Sequence, residues 1–229
     1  MKRKVLVVDI GGTYVKLLMS RRDQREFASG SRMGPNQLIA KLQESVRGWK
    51  FDRVSIGFPA PVRKGRITKH PKHLGKGWVG FNFTRALGIP VRLVNDAAMQ
   101  ALGSYDGGRT LFLGLGTGLG SALVWDRTLM PLELGDLPYR GGHIIEDYLG
   151  IPGLVLLGEK KWKREVIYAV VRLKKSFIAD YVVIGGGLVH HFGRLPKGTE
   201  RGRNENAFLG GLRLWEINKH SGELKWRVL

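Results

Sequence analysis

Apolar runs and polar breaks divide the chain into short strands and a few helices. Lys4 to Asp9 reads as a buried strand, VLVV closing on an acid. A Gly11-Gly12-Thr13 turn follows, then a second strand from Tyr14 to Ser20. Arg21 to Gly34 is polar, with a third strand expected around Glu26 to Ala28. After Pro35-Asn36, Leu38, Leu42 and Val46 recur at helical spacing and predict an amphipathic helix ending near Gly48. Arg53 to Gly57 is the next strand, and the prolines of FPAPV stop it in a rigid loop. Arg85 to Gly88 reads as a short helical turn, Val91 to Val94 as a strand, and Ala97 to Tyr105 as a helix. Asn95 or Asp96 stands near the N-cap of that helix. Strands at Thr110 to Leu115 and Ser121 to Trp125 flank the turn GLGTGLG. Lys160 to Phe177 is the clearest helix: Trp162, Val166, Val170, Leu173 and Phe177 share one face, and lysines and arginines cover the others. The strand YVVI then runs into Gly185-Gly186-Gly187, and Asn206 to Ile217 is a last helix. The tail to Leu229 carries no clear pattern.

The 229 residues suffice for one large domain or two small ones with a real core. Glycine departs from the ordinary: 33 residues, roughly twice the usual ~7% share, clustered at strand ends. Such clusters point to functional turns and not to a fibre. Cysteine is absent, which excludes a disulfide framework and a thiolate zinc site. The N-terminal apolar run is too short for a membrane span, and the protein reads as cytoplasmic and free of membrane. The net charge of +19 attracts polyanions, or serves solubility alone. Basic side chains concentrate in Arg63 to Lys76 and in Arg194 to Arg203, each either a solvated loop or a polyanion contact. No signature for specific nucleic-acid readout is present, so only non-specific binding through charge is expected.

The stretch from Val91 to Gly120 concentrates the chemistry. An apolar strand delivers Asn95 and Asp96 to its end, and a glycine-rich turn follows a short distance on. An acid there can take a proton from an acceptor hydroxyl, while a glycine turn can hold phosphate oxygens with its N–H groups. The alternatives are a plain helix start and a plain hairpin. DIGGTYVK has the same logic: Gly11 and Gly12 allow close approach of an anion, Thr13 offers a hydroxyl and Lys16 a charge. Asp9 could hold magnesium through water. Both glycine turns lie between strand pairs, which fits two related halves facing a cleft. The acids Asp96, Glu133, Asp136, Glu146 and Asp147 gather in a basic chain and suit a carbohydrate's hydroxyls. They could instead pair with Arg140 or His143. Asn82 in GWVGFNF could also bond a polyol.

Five motifs stand in order: DIGGTYVK from Asp9, Asn95-Asp96-Ala97, GLGTGLG from Gly114, ELGD from Glu133 together with Glu146, and VIGGG from Val183. Together they resemble the ROK family of sugar kinases, and within it the polyphosphate/ATP glucokinase subgroup, over residues 4–217. The resemblance implies an α/β chain of the actin/hexokinase-like (ribonuclease H-like) fold, with its active site in an interdomain cleft. Residues 1–94 would form one domain and 95–205 the other, with the helix at 206–217 returning to the first. It implies phosphate or nucleotide binding by Asp9, Gly11, Gly12, Thr13 and Lys16, by Gly116, Thr117, Gly118 and Gly120, and by Gly185, Gly186 and Gly187. It implies sugar binding by Asn82, Asn95, Glu133, Asp136 and Glu146, with Asp96 as catalytic base and Mg2+ at Asp9. Phosphoryl transfer from ATP or polyphosphate to a hexose, most readily to glucose O6, follows, and a homodimer is compatible. The family's cysteine-rich zinc motif is missing, so no structural zinc is expected. Where the family's ExGH motif carries histidine, this chain has Asp136, which when ionised can only accept hydrogen bonds. His143 could stand in for it. The alternative function is a non-catalytic polyanion-binding or regulatory protein. The regulators of this family carry an added N-terminal helix-turn-helix, for which no room is expected before Lys4.

Overall fold

The structure is a computed structural model that describes residues 4–20, 22–203 and 205–229. The basic start of the chain, residues 1–3, and Arg21, the first residue of the expected polar loop, lie outside these. Strands β1 (Val5–Ile10), β2 (Tyr14–Leu18) and β3 (Gln24–Ala28) form an antiparallel meander. Helix α1 (Pro35–Ser45) starts with proline at its first turn, and Gln37 Oε1 accepts from the Gly34 N–H at 3.1 Å. It lays Leu38 and Leu42 on the sheet. Strand β4 (Arg53–Phe58) then pairs parallel with β1. β1 is therefore flanked on both sides and buried on both faces, which is why it reads as a continuous apolar run.

The basic stretch after FPAPV is more ordered than its composition suggests. It contains a small hairpin, β5 (Val62–Arg63) and β6 (Arg66–Ile67), turned at Lys64 and Gly65, both with positive φ. Beyond it, Trp78 packs with Phe58, Phe81 and Phe83 in an aromatic core that opens helix α2 (Phe83–Leu87). Strand β7 (Val91–Asn95) pairs parallel with β4 and completes a sheet ordered β3-β2-β1-β4-β7. Helix α3 (Asp96–Ser104) follows without a break.

The second sheet repeats this plan. β8 (Thr110–Leu115), β9 (Leu119–Trp125) and β10 (Thr128–Leu132) form a meander. Helices α4 (Ile145–Leu149), α5 (Ile151–Leu157) and α6 (Glu159–Ser176) lead to β11 (Tyr181–Gly185), parallel to β8, and β12 (Thr199–Arg201), parallel to β11. The order β10-β9-β8-β11-β12 mirrors β3-β2-β1-β4-β7, so the two glycine turns occupy equivalent places in two related halves. Helix α7 (Asn206–Arg213) packs on α3 and on β1 and β4 of the first sheet. It comes so close to α3 that a Cβ at Gly103 would collide with the backbone of Asn206 and Gly210. It ends four residues short of the expected Ile217. Arg213 there donates to the carbonyls of Leu102 and Tyr105 at the C-terminus of α3. In the tail, which carries no sequence pattern, β13 (Arg227–Val228) adds a parallel edge strand to β10.

Three apolar cores result. One lies between the first sheet and α1, and one under α4 and α6 on the outer face of the second sheet. The third joins the two halves: Val5, Val7 and Leu18 meet α3, Phe112, Ala122, Phe208 and Trp226 of the tail. The halves are thus welded behind α3 and open in front of its N-terminus, where the cleft lies.

Candidate active site

The parallel strands β1, β4 and β7 end side by side at the mouth of the cleft, the place where sheets of this kind bind ligands. Asp9 sits opposite Gly57 in the register of β1 and β4, and Phe58 opposite Asn95 in that of β4 and β7. Gly57 is the position that lets two acids meet. A Cβ there would stand 3.3 Å from Asp96 Cα and 3.5 Å from Asp9 Oδ1. In sequence this glycine is only a strand end, and nothing local reveals its role.

Asp96 is the first residue of α3, and Asn95 is its cap. Asn95 Oδ1 accepts from the Ala98 N–H at 3.2 Å, and Nδ2 donates to the Ala60 carbonyl at 3.4 Å. The buried Asn95 amide therefore ties the FPAPV loop to the helix start and still borders the cavity. Asp96 Oδ1 accepts from the Ala97 N–H at 2.7 Å. Burial, then the charge of Asp9, pushes the Asp96 carboxyl up to about 7. Burial likewise raises Asp9 to about 6, against the pull of Lys16, its cross-strand neighbour on β2. A carboxyl titrating near 7 is suited to accept a proton at neutral pH.

A cavity of about 490 Å³, within the range of small-ligand sites, opens above Asp96, while Asp9 is outside its lining. Asn95, Asp96, Gly116, Thr117, Gly118, Gly120, Glu133, Asp136 and Glu146 all border it. The glycines of the second turn divide their work. A Cβ at Gly118 would run into the Glu146 carboxylate, and one at Gly120 would stand 2.8 Å from Ala97 Cβ, whereas Gly116 faces open space. Of the first turn, Gly12 lines the cavity, and a Cβ there would stand 2.9 Å from His73 Cβ. Gly11, Thr13 and Lys16 lie outside the lining; the Gly11 N–H is held by the Tyr14 carbonyl at 2.9 Å, and Thr13 and Lys16 are exposed. Of the third turn, Gly186 lines the cavity with φ 83°, Gly185 packs on the Phe112 ring and Gly187 is exposed.

Other candidates lie away from the cavity. Asn82 is absent from the lining; its Oδ1 caps α2 by accepting from the Arg85 N–H at 3.0 Å. His143 is absent too. It meets the Tyr148 ring edge-on and pairs with Asp147 at 3.5 Å, the alternative pairing open to that acid. Arg140 pairs with Glu165 and not with the acids of the cleft. The loop at 194–203 lies outside the lining, and part of it is β12. Lys69, His70, Lys72, His73 and Gln100 also border the cavity, four of them from the basic segment whose composition alone marks no individual site residue. Gln100 stands one helical turn beyond Asp96, a spacing that places both on one face of α3.

Among the described residues no cluster of three or more histidine or acidic side chains could hold a metal alone. Magnesium does not need one, since it keeps several waters and takes one or two carboxylates plus substrate phosphates. Asp9 and Asp96, both driven up by burial, fit a site that a dication completes. Among the described residues no helix is long and apolar enough to cross a membrane.

No family model matches the chain. Over 160 residues it is 27% identical to the polyphosphate glucokinase of Mycobacterium tuberculosis, a match covering 62% of this chain and 58% of the relative. The chain therefore spans less than two thirds of that relative's length in the match. Among solved structures, the inorganic polyphosphate/ATP-glucomannokinase from Arthrobacter sp. strain KM superposes with a TM-score of 0.78 at 22% identity, over 91% of this chain and 96% of that one. A ROK family glucokinase from Streptomyces griseus, in complex with glucose and AMPPNP, gives 0.71 at 16% identity, over 90% and 97%. The fold is that of the ROK sugar kinases, actin/hexokinase-like, and in sequence the chain is similar to the polyphosphate glucokinases.

Proposed function

We propose that this chain is a hexose kinase that moves a terminal phosphoryl group from ATP or polyphosphate to a sugar hydroxyl, glucose O6 being the first candidate. The observation that carries the proposal is Asp96. Its carboxyl titrates near neutrality on the floor of a cavity bordered by an open glycine turn and by the acids Glu133, Asp136 and Glu146. The similarity to polyphosphate glucokinases and to a polyphosphate/ATP-glucomannokinase supports the same reading.

In this reading Asn95, Glu133, Asp136 and Glu146 hold the sugar, and Asp96 takes the proton of the attacking hydroxyl. The turns Gly116 to Gly120 and Gly11 to Thr13, with Lys16, hold phosphate oxygens through the backbone N–H groups that the turns leave free, since the Gly11 and Gly116 N–H groups close the turns on the Tyr14 and Gly118 carbonyls, and Gly185 to Gly187 bound the donor's far end. Asp9, through water, would hold Mg2+, which supplies charge neutralisation at the transferring group. Residues 1–94 and 95–205 act as the two walls of the cleft. Catalysis is then mainly positioning and electrostatic stabilisation.

The donor reading rests on charge. ATP brings about four negative charges, far fewer than +19 can match. Lys69, His70 and His73 line the cleft from the basic segment, where a long polyanion would meet them. The test is phosphorylation of a panel of hexoses with ATP and with long-chain polyphosphate, at low and high salt. Turnover with both donors, steeply salt-dependent for polyphosphate and much less so for ATP, is expected. Absence of turnover with every hexose would favour a polyanion-binding role, with nucleic acid held only non-specifically.

A further inference from the structure

Lys72 belongs to the basic segment yet does not face solvent freely. Its Nζ donates to Glu146 on α4 and stands 3.6 Å from Asp136 Oδ1. Both acids come from the second half of the molecule, so the lysine spans the cavity. The pairing, led by the hydrogen bond to Glu146, raises the Lys72 pKa and keeps it charged. Lys69 and Lys72 also act on Glu133, whose carboxyl burial and Asp136 push up. Three carboxylates thus share one wall with two ammonium groups from the other, an acidic balance inside a chain of net charge +19.

Stability does not explain the arrangement. The Lys72 side chain is 62% exposed, and exposed pairs contribute little. The chemistry of hydroxyls does. Ionised Glu146 and Asp136 only accept hydrogen bonds, while a hydroxyl both donates and accepts. A polyol held by carboxylates alone would leave its lone pairs without donors. Lys72 brings donors to the place where position 136 has none. We propose that Lys72 is an acceptor-positioning and specificity-determining residue, whose ammonium donates to a sugar hydroxyl that Glu146 or Asp136 accepts from, and so discriminates between hexose epimers. This rests on the hexose kinase reading. It also removes Lys72 from any polyanion track, because two carboxylates already match its charge.

The test measures kcat and KM for glucose and mannose, with ATP, in the wild type, Lys72→Met, Lys72→Arg and Asp136→Asn. Lys72→Met should raise the acceptor KM by roughly tenfold or more and change the glucose-to-mannose ratio of kcat/KM by a similar factor. The KM for ATP should stay within about twofold. Lys72→Arg should restore part of the loss, and Asp136→Asn should move the same ratio. An active enzyme in which Lys72→Met leaves acceptor KM and selectivity unchanged, or alters only the donor KM, overturns this proposal alone. A wild type inert with every hexose overturns the kinase reading and this proposal with it.

Discussion

Asp9 near the end of β1 and Asp96, which opens α3 just after β7, flank Gly57: a Cβ there would stand 3.5 Å from Asp9 Oδ1 and 3.3 Å from Asp96 Cα. Asp9 is held by β1 and Asp96 by the start of α3 directly after β7, neither of which can move without disturbing a buried sheet. Their carboxyls are desolvated together, and that shared cost is what brings Asp96 near neutrality.

The same cost has a thermodynamic signature. Both folded-state pKa values are raised, from 3.8 to about 6 for Asp9 and to about 7 for Asp96. Between those limits the unfolded chain binds fewer protons than the folded one, so stability falls as pH rises from about 4 to about 7. Asp96→Asn removes one of the two carboxyls. The variant should be more stable than the wild type at pH 8, and the gap should close near pH 4. Denaturant unfolding at both pH values reads this directly. A variant less stable at pH 8 would show that Asp96 is not desolvated.

Gly57→Ala probes the spacing. The added methyl would meet the Met99 terminal methyl and press on Asp96 Cα. Met99 is fully buried and has little room to yield. The substitution should cost about 1–3 kcal/mol of stability and lower kcat more than tenfold by displacing Asp96. Unfolding midpoints and steady-state kinetics check both. Full activity would mean that Gly57 does not set the geometry.

Trp226 probes the tail. It is buried between the two sheets, stands edge-on to Tyr105, and donates from Nε1 to Glu216 Oε2 at 3.0 Å. Trp226→Ala should cost about 3–5 kcal/mol, as for other large core aromatics. A loss under about 1 kcal/mol in denaturant unfolding would show that the tail is peripheral.

Much of the fold was legible because its signals are local. The apolar runs of β1 and β8, the acids and glycines at their ends, and the one-sided face of α6 follow from nearest-neighbour rules. The short helices α4 and α5 were not legible: five and seven residues are too few to display a period. β12 and β13 are edge pairings three and two residues long, set by what lies beside them. Asn95, Asp96 and the glycine turn, which border one cavity, are marked in sequence by a strand end and a glycine cluster. Gly57 and Lys72 are not, because the groups that give them meaning lie 39 to 74 residues away in sequence, at Asp96 and Glu146. Asn82 shows the reverse ambiguity: a residue type that suits a polyol also suits a helix cap, which is the place it takes here.

The central claim is that Asp96 is the general base. The most direct measurement is the pH dependence of kcat for the wild type and Asp96→Asn, with sugar binding followed separately. The wild type should gain activity as pH rises through about 7, where the Asp96 carboxyl ionises. Asp96→Asn should lose that rising limb and fall by roughly 10²–10⁴-fold in kcat while still binding sugar. A variant that keeps near-full kcat, or the same rising limb, would contradict the account.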